Sequence, residues 1–248
     1  MRIPLTKYGM PQVAIFPVIV LGLMICYLIV ILSIYTDGQG AGPNAWLSIG
    51  GGELILLMVL GWALAFFRDP ERKVSEDKNI LISPADGMVK DIEIVEENSP
   101  IGGKALRIGI FLNIFNVHIN RMPCAVVIDD IRYKKGEFRN AMSSECGRVN
   151  ESNDIAMRRL DFPKDKLLVR QISGAIARRI VCDAEKGQEF SCGQRFGMIK
   201  FGSRTELYLP INENTKCLVK PGDKVKAGLT LLVRYEKCHS QKQESEIS

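Results

Sequence analysis

Two long apolar runs open the chain, and a shorter alternation of apolar and polar residues follows them. Residues 12–35, QVAIFPVIVLGLMICYLIVILSIY, are apolar almost throughout and carry no charge. A helix needs about 20 such residues to cross a hydrocarbon core, so this run predicts a transmembrane helix. A cleaved signal peptide fits poorly, because the run is too long and no small-residue cleavage site follows it. After the loop TDGQGAGPNA comes a second run, residues 46–67, WLSIGGGELILLMVLGWALAFF, interrupted by Glu53 and the triplet Gly50, Gly51, Gly52. It predicts the second arm of a membrane hairpin, either spanning fully or entering as a re-entrant or interfacial segment. A pair of core helices in a soluble protein is the competing expectation.

From residue 68 the pattern is that of a folded polar-surfaced domain. NILISPADGMVKDIEIVEEN, KALRIGIFLNIFNVHIN, AVVIDDIRYKKGEF, FGMIKFGSRTELYLP and TLLVRYE alternate as strands do, with Gly, Pro and Asp between them. QISGAIARRIVC is ambiguous: Ile172, Ala175, Ile176 and Ile180 share a helical face, but the run ends like a strand. Residues 237–248 are polar and predict a disordered tail. The expected architecture is a short N-terminus (1–11), a transmembrane helical hairpin (12–67), and a mainly β, barrel-sandwich-like domain with few short helices (68–236). One detail is odd. In RFGMIKFGSRTELYLP a good strand pattern is interrupted by Gly202-Ser203, and glycine inside a strand marks a bulge or a close approach.

Charge orients the hairpin. Arg2 and Lys7 precede the first run, Arg68, Arg72 and Lys73 follow the second, and the connecting loop has no Lys or Arg. The positive-inside rule then places both ends and the following domain in the cytoplasm. A net charge of +5 suits an anionic partner, and solvated lysines give the same figure. No nucleic-acid partner is expected. The seven cysteines lack a C-x-x-C pair, which argues against a disulfide framework and a structural zinc site. No metal is expected, and the thiols are expected free.

Five short stretches occur in order: FFRDPER (66–72), SPADG (83–87), FNVHINRMP (115–123), ISGAIARRIVC (172–182) and FGMIKFGSR (196–204). Together they resemble the phosphatidylserine decarboxylases of the short, membrane-anchored class. Removing CO2 from an amino acid leaves a carbanion that needs an electron sink, and no lysine stands out as a pyridoxal phosphate ligand. A Gly-Ser bond can make its own sink. The serine hydroxyl attacks the preceding carbonyl, the ester eliminates to dehydroalanine, and hydrolysis leaves a pyruvoyl ketone that forms a Schiff base with an amine. Ser203 is then the nucleophile and Gly202 the small residue before it. His118, the one histidine inside the domain, is the candidate base, and Asp86 the carboxylate to orient it.

The resemblance implies these same three positions, and a large chain ending at Gly202 with a small chain starting at a pyruvoyl group from Ser203. It also implies conversion of a membrane phospholipid, phosphatidylserine, to phosphatidylethanolamine, with His118 returning the proton. Arg121, Arg178 and Arg179 are candidates for holding the head group, and a homodimer is a possible assembly. The larger members typically carry Leu-Gly-Ser-Thr where this chain has Phe201-Gly202-Ser203-Arg204, which bears on subclass and leaves the scissile pair intact.

Each residue also has a plainer reading. An isolated Ser is mostly structural, Asp-Gly is mostly a turn, and a lone His between apolar residues mostly belongs to the core. Two rival functions stand beside the first. One keeps the chemistry on an ether lipid or another phosphoserine lipid. The other is a membrane-tethered carrier module, since VKPGDKVKAGLTLL (219–232) resembles the hairpin of lipoyl and biotinyl domains, although Pro221-Gly222-Asp223 stands where a carrier lysine belongs.

Overall fold

The two apolar runs fold as helices α1 (Gln12–Thr36) and α2 (Pro43–Phe66). Windows of 23 and 20 residues within them, with mean hydropathy 3.0 and 1.9, are long and apolar enough to cross a membrane. Little of either is buried within the chain, the opposite of what a soluble core pair requires. The helices meet at Gly52, where a Cβ would lie 2.3 Å from the ring of Tyr27. The Tyr27 hydroxyl donates to the Ser48 carbonyl at 2.8 Å. Small residues let membrane helices approach this closely, so one glycine of the triplet has a packing reason. At the other end of the hairpin the Thr6 N–H donates to the Phe67 carbonyl at 3.0 Å.

The computed structural model describes residues 5–36, 43–139, 146–174, 179–200 and 202–236. The chain separates into two units, Met1–Pro70 and Glu71–Ser248. The second is mainly β, and its strands follow in order: β1 (Ile80–Ile82), β2 (Gly87–Glu97), β3 (Gly103–Leu112), β4 (Ile119–Arg121), β5 (Val126–Lys134), β6 (Ser152–Arg159), β7 (Lys166–Ile172), β8 (Ile180–Cys182), β9 (Glu189–Phe190), β10 (Arg195–Ile199), β11 (Ser203–Pro210), β12 (Thr215–Cys217), β13 (Lys224–Val225) and β14 (Leu231–Tyr235). A single-turn helix, α3 (Cys146–Val149), lies between β5 and β6.

Eight strands form one antiparallel sheet in the order β13-β2-β3-β11-β7-β6-β5-β9. Two three-stranded sheets, β1-β14-β12 and β4-β10-β8, complete the unit, and no barrel closes among the described residues. Alternation along β3, β6, β7 and β11 sends Ile108, Ile110, Ile155, Met157, Leu167, Val169, Leu207 and Leu209 to one face. There they pack with Leu81, Met122, Phe196, Leu232 and Val233 from the smaller sheets. The core is thus a sandwich layer between the large sheet and the two small ones.

The ambiguous QISGAIARRIVC run is strand at both ends: Ile172 closes β7 and Ile180 opens β8, while Ala175 and Ile176 lie outside the described residues. The carrier-like stretch 219–232 does not fold as a hairpin on itself. Its first half pairs with β2 as β13, and its end enters β14 beside β1 and β12. The six cysteines among the described residues are free.

Candidate active site at a strand-to-strand corner

The interrupted strand is two strands. β10 ends at Ile199 in the sheet with β4 and β8, and β11 begins at Ser203 in the large sheet between β3 and β7. The chain changes sheet between Ile199 and Ser203. The sequence pattern hid this because only three residues separate the two strands. Gly202 takes φ +63° with nothing within 4 Å of where a Cβ would stand. Its backbone, rather than a lack of room, is what calls for glycine.

Ser203 is fully buried, opposite Leu112 of β3. Its Oγ has no hydrogen-bond partner among the described residues. A buried hydroxyl without a partner is rare, and it marks a place where something other than stability has been selected.

Leu112 leads into a tight turn that holds His118. The Asn116 N–H donates to the Asn113 carbonyl at 3.0 Å, and the Asn113 and Phe115 N–H groups donate to the Asn116 and Asn113 side chains, both at 2.9 Å. His118 is fully buried, and its Nδ1 lies 2.9 Å from the Asn116 carbonyl oxygen. It stands immediately before β4, whose Ile119 pairs with Met198 of β10. Ser203 thus opens β11, and His118 precedes β4, the partner of β10 on the other side of the corner.

Asp86 has a different set of partners from the imidazole expected. Arg72 embraces its carboxylate, Nη1 to Oδ1 at 2.5 Å and Nη2 to Oδ2 at 2.9 Å, and the Ala227 N–H donates to Oδ1 at 2.8 Å. This gives FFRDPER and SPADG one shared purpose. The turn they fix presents the Pro84 carbonyl, which accepts the Arg121 N–H at 3.0 Å and the Asn120 amide at 3.4 Å.

Of the basic candidates, Arg121 is buried and donates to the Gly193 carbonyl at 3.1 Å. Arg179 is exposed at the start of β8, and its carbonyl accepts the Lys200 N–H at 3.2 Å. Arg178 lies outside the described residues.

Three features had no part in the sequence expectations. The first is a chain of buried amides tying the motifs together. Asn153 donates to Gln171 at 3.1 Å, Gln171 to Asn120 at 2.9 Å, and Asn120 to the Thr205 hydroxyl at 3.2 Å. Their adjacency to motif residues was the only signal available.

The second is an ionic cluster on the opposite face of the large sheet. Arg204, fully buried, donates to Asp91 at 2.6 Å and to Glu206 at 2.7 Å. Glu206 also accepts from the Tyr208 hydroxyl at 2.5 Å. Burial opposes the Arg204 charge, but the Asp91 hydrogen bond and the nearby Glu206 raise its pKa above the ordinary value. Gly109 makes room for it, since a Cβ there would lie 2.0 Å from Nη2. The residue that departs from the common Ser-Thr pattern is therefore bound by two carboxylates supplied for it. The third feature is Lys200, buried at the corner itself.

The sequence model of the family described as phosphatidylserine decarboxylase matches residues 59–233. The chain is 42% identical over 191 residues to a phosphatidylserine decarboxylase proenzyme of Rhodopirellula baltica, covering 77% of this chain and 78% of that one. It is 46% identical over 178 residues to that of Desulfotalea psychrophila, with 72% and 81% covered. To that of Carboxydothermus hydrogenoformans it is 43% identical over 197 residues, with 79% and 88% covered.

Proposed function

Because the chain belongs to the phosphatidylserine decarboxylase family, we propose that it converts phosphatidylserine to phosphatidylethanolamine and CO2 at a ketone made from Ser203 by opening the Gly202–Ser203 bond. The observation that carries this reading is the buried, unpartnered Ser203 Oγ, placed directly after a left-handed glycine at the corner between two sheets.

Oγ adds to the Gly202 carbonyl carbon as His118 takes its proton, and the C–N bond breaks to leave an ester and a free amine on residue 203. Loss of the residue 203 Cα proton then breaks the Cβ–Oγ bond. Gly202 departs as a carboxylate, and water hydrolyses the remaining imine to a ketone and ammonia. An Nδ1–H donated to the Asn116 carbonyl fixes the tautomer that leaves Nε2 as the base. Asp86, gripped by Arg72, holds the turn against which β4 and His118 are set.

A pyruvoyl group at residue 203 supplies an electrophilic carbonyl that takes up the substrate amine and receives the electron pair as CO2 departs. His118 then returns a proton to the substrate carbon. The buried position of residue 203 keeps water from protonating that carbon first. α1 and α2 anchor the enzyme in the membrane that holds its lipid, with the decarboxylase unit on the cytoplasmic side, as the flanking charges indicate.

An intact mass spectrum of the purified protein tests the reading directly. Two fragments divided between Gly202 and Ser203 are expected, the smaller with a blocked, ketone-bearing N-terminus. A single uncut chain in an active sample would sink it. In His118→Ala, self-cleavage should slow by about 100-fold or more, the usual contribution of a positioned base, followed on gels as disappearance of the precursor. Normal cleavage in that variant removes His118 from the role. Gly202→Ala meets no clash but must hold a left-handed backbone at a cost of about 1–2 kcal/mol. It should fold and cleave more slowly than wild type in the same gel assay, and wild-type speed would show that the left-handed turn is not needed for attack.

A further inference from the structure

Opening the Gly202–Ser203 bond turns residue 203 from an interior residue into a chain terminus. The first residues of a chain are poorly ordered unless something ties them down. In the pyruvoyl form residue 203 has exchanged its N–H and its hydroxyl for a ketone and a methyl group, so it keeps no donor of its own. Its register is with Leu112 of β3, whereas pairing with β7 begins only at Arg204, opposite Ile172. Arg204 is therefore the first residue of the small fragment that can hold the terminus.

The Arg204 side chain is fixed by more than strand pairing. It is fully buried, with Nη2 donating to Asp91 at 2.6 Å and Nε to Glu206 at 2.7 Å. Asp91 stands on β2, so this bond reaches past β3 into the fragment that ends at Gly202. Gly109 of β3 leaves the place for it: a Cβ there would lie 2.0 Å from Nη2 and 2.7 Å from Asp91 Oδ1. Charge-assisted hydrogen bonds of this kind are the strong ones, and here they begin one residue from the new terminus.

We infer that Arg204 is a positioning residue for decarboxylation: bound to Asp91 across the opened junction, it fastens the terminus of the small fragment and holds the ketone of residue 203 in register. This deepens the decarboxylase reading and rests on it. One carbonyl separates the ketone carbon from the Arg204 nitrogen, so a slip of Arg204 passes directly to the reacting atom. Misplacing such an atom by about 1 Å costs on the order of 100-fold in rate. In the precursor residue 203 is held by chain on both sides, so the fastening acts after the bond has opened.

Full-length Arg204→Met in detergent micelles provides the test. Its control is Leu209→Ala, which truncates a buried side chain at the far end of β11 and lowers stability away from the terminus. Arg204→Met should cleave within about threefold of the wild-type rate. Once mature, its kcat for dioctanoyl-phosphatidylserine should fall about 10-fold or more, with KM within about threefold. Phenylhydrazine should label its ketone about 10-fold faster, read as hydrazone absorbance, because a frayed end opens to solvent. Arg204→Lys, which keeps the charge without the fork, should recover part of the loss. Leu209→Ala should move neither kcat nor labelling at a temperature where it is folded.

Wild-type kcat and labelling in Arg204→Met overturn the inference. Equal changes in Leu209→Ala also overturn it, by making the effect one of general stability. A cleavage defect as large as the loss in kcat overturns it too, by moving the role of Arg204 to the precursor. If Arg204→Met yields no folded protein, Asp91→Asn, which keeps the shape and removes the charge, is read in the same way and should show the same changes to a smaller extent. Wild-type protein that is uncut and takes up no phenylhydrazine brings down the decarboxylase reading itself, whereas a cut, labelled wild type with an indifferent Arg204 removes the positioning role alone.

Discussion

Ser203→Ala is expected to yield one uncut chain of 27.7 kDa with no decarboxylase activity. Alanine has no oxygen to attack the Gly202 carbonyl, so the ketone is never made. The loss differs in kind from that of a weakened catalyst. Removing a positioned acid or base typically leaves activity 10²–10⁴-fold down, whereas removing the electron sink leaves no route for the carbanion. The fold should survive, because Ser203 Oγ makes no hydrogen bond among the described residues and loses nothing on truncation. Intact mass, an activity assay and a melting curve on the same sample check all three statements. A melting temperature well below that of wild type would mean that the hydroxyl is structural after all.

The largest effect on stability is expected from Asp91→Ala. Asp91 lies 2.6 Å from Arg204 and 3.4 Å from Arg107 on a face where Arg204 and Glu206 are wholly buried. Removing one partner from a buried ionic cluster costs about 3–5 kcal/mol, since Glu206 alone is then left to balance the buried Arg204, with Arg107 nearby. For a chain of this size that is a fall of roughly 6–20 °C in melting temperature. The exposed pair of Arg139 and Glu137, 2.5 Å apart, should contribute under about 1 kcal/mol. The exposed pair is the shorter of the two; burial decides. Adding Arg204→Met to Asp91→Ala removes the stranded charge and should restore part of the loss, which scanning calorimetry in detergent can read as a double-mutant cycle. A fall in Asp91→Ala no larger than that of Glu137→Ala would show the cluster to be idle.

The candidate residues could be picked out of the sequence because the features that mark them are local. Gly202-Ser203 is a dipeptide, His118 the only histidine of the domain, and the hairpin shows in hydropathy alone. What was illegible depends on where the chain returns. Asp86 was matched to His118 on chemical grounds, yet its partner Arg72 lies 14 positions upstream, and nothing local distinguishes that arginine from Lys73 or Arg68.

The burial of Lys200 and Arg204 was not legible, because a sequence does not state which cations a sheet will bury. Arg204 finds Asp91 113 positions away, through the pairing of β11 with β3 and β3 with β2. β6 and β7 escaped notice for a related reason. Asn153 and Gln171 occupy inward positions, and Asp154 and Arg170 are ion-paired outward, so the contrast that marks a half-buried strand is erased. The change of sheet between Ile199 and Ser203 was hidden because only three residues separate the two strands.

Given the proposed opening of the Gly202–Ser203 bond, the order of strands in the large sheet would have a consequence for the life of the mature protein. β11 is the first strand of the fragment that starts at residue 203, and it lies in the interior of the sheet, hydrogen-bonded to β3 on one side and β7 on the other. Both neighbours belong to the fragment that ends at Gly202. The precursor threads this strand into place as part of a single chain, where the loop closure is intramolecular. Once the bond has opened, the same sheet is shared by two molecules that have no edge along which to part. The enzyme is therefore assembled once: its maturation discards the connection that guided folding, and two fragments separated by denaturant would have to reunite by collision, with the central gap in one of them open to any other strand.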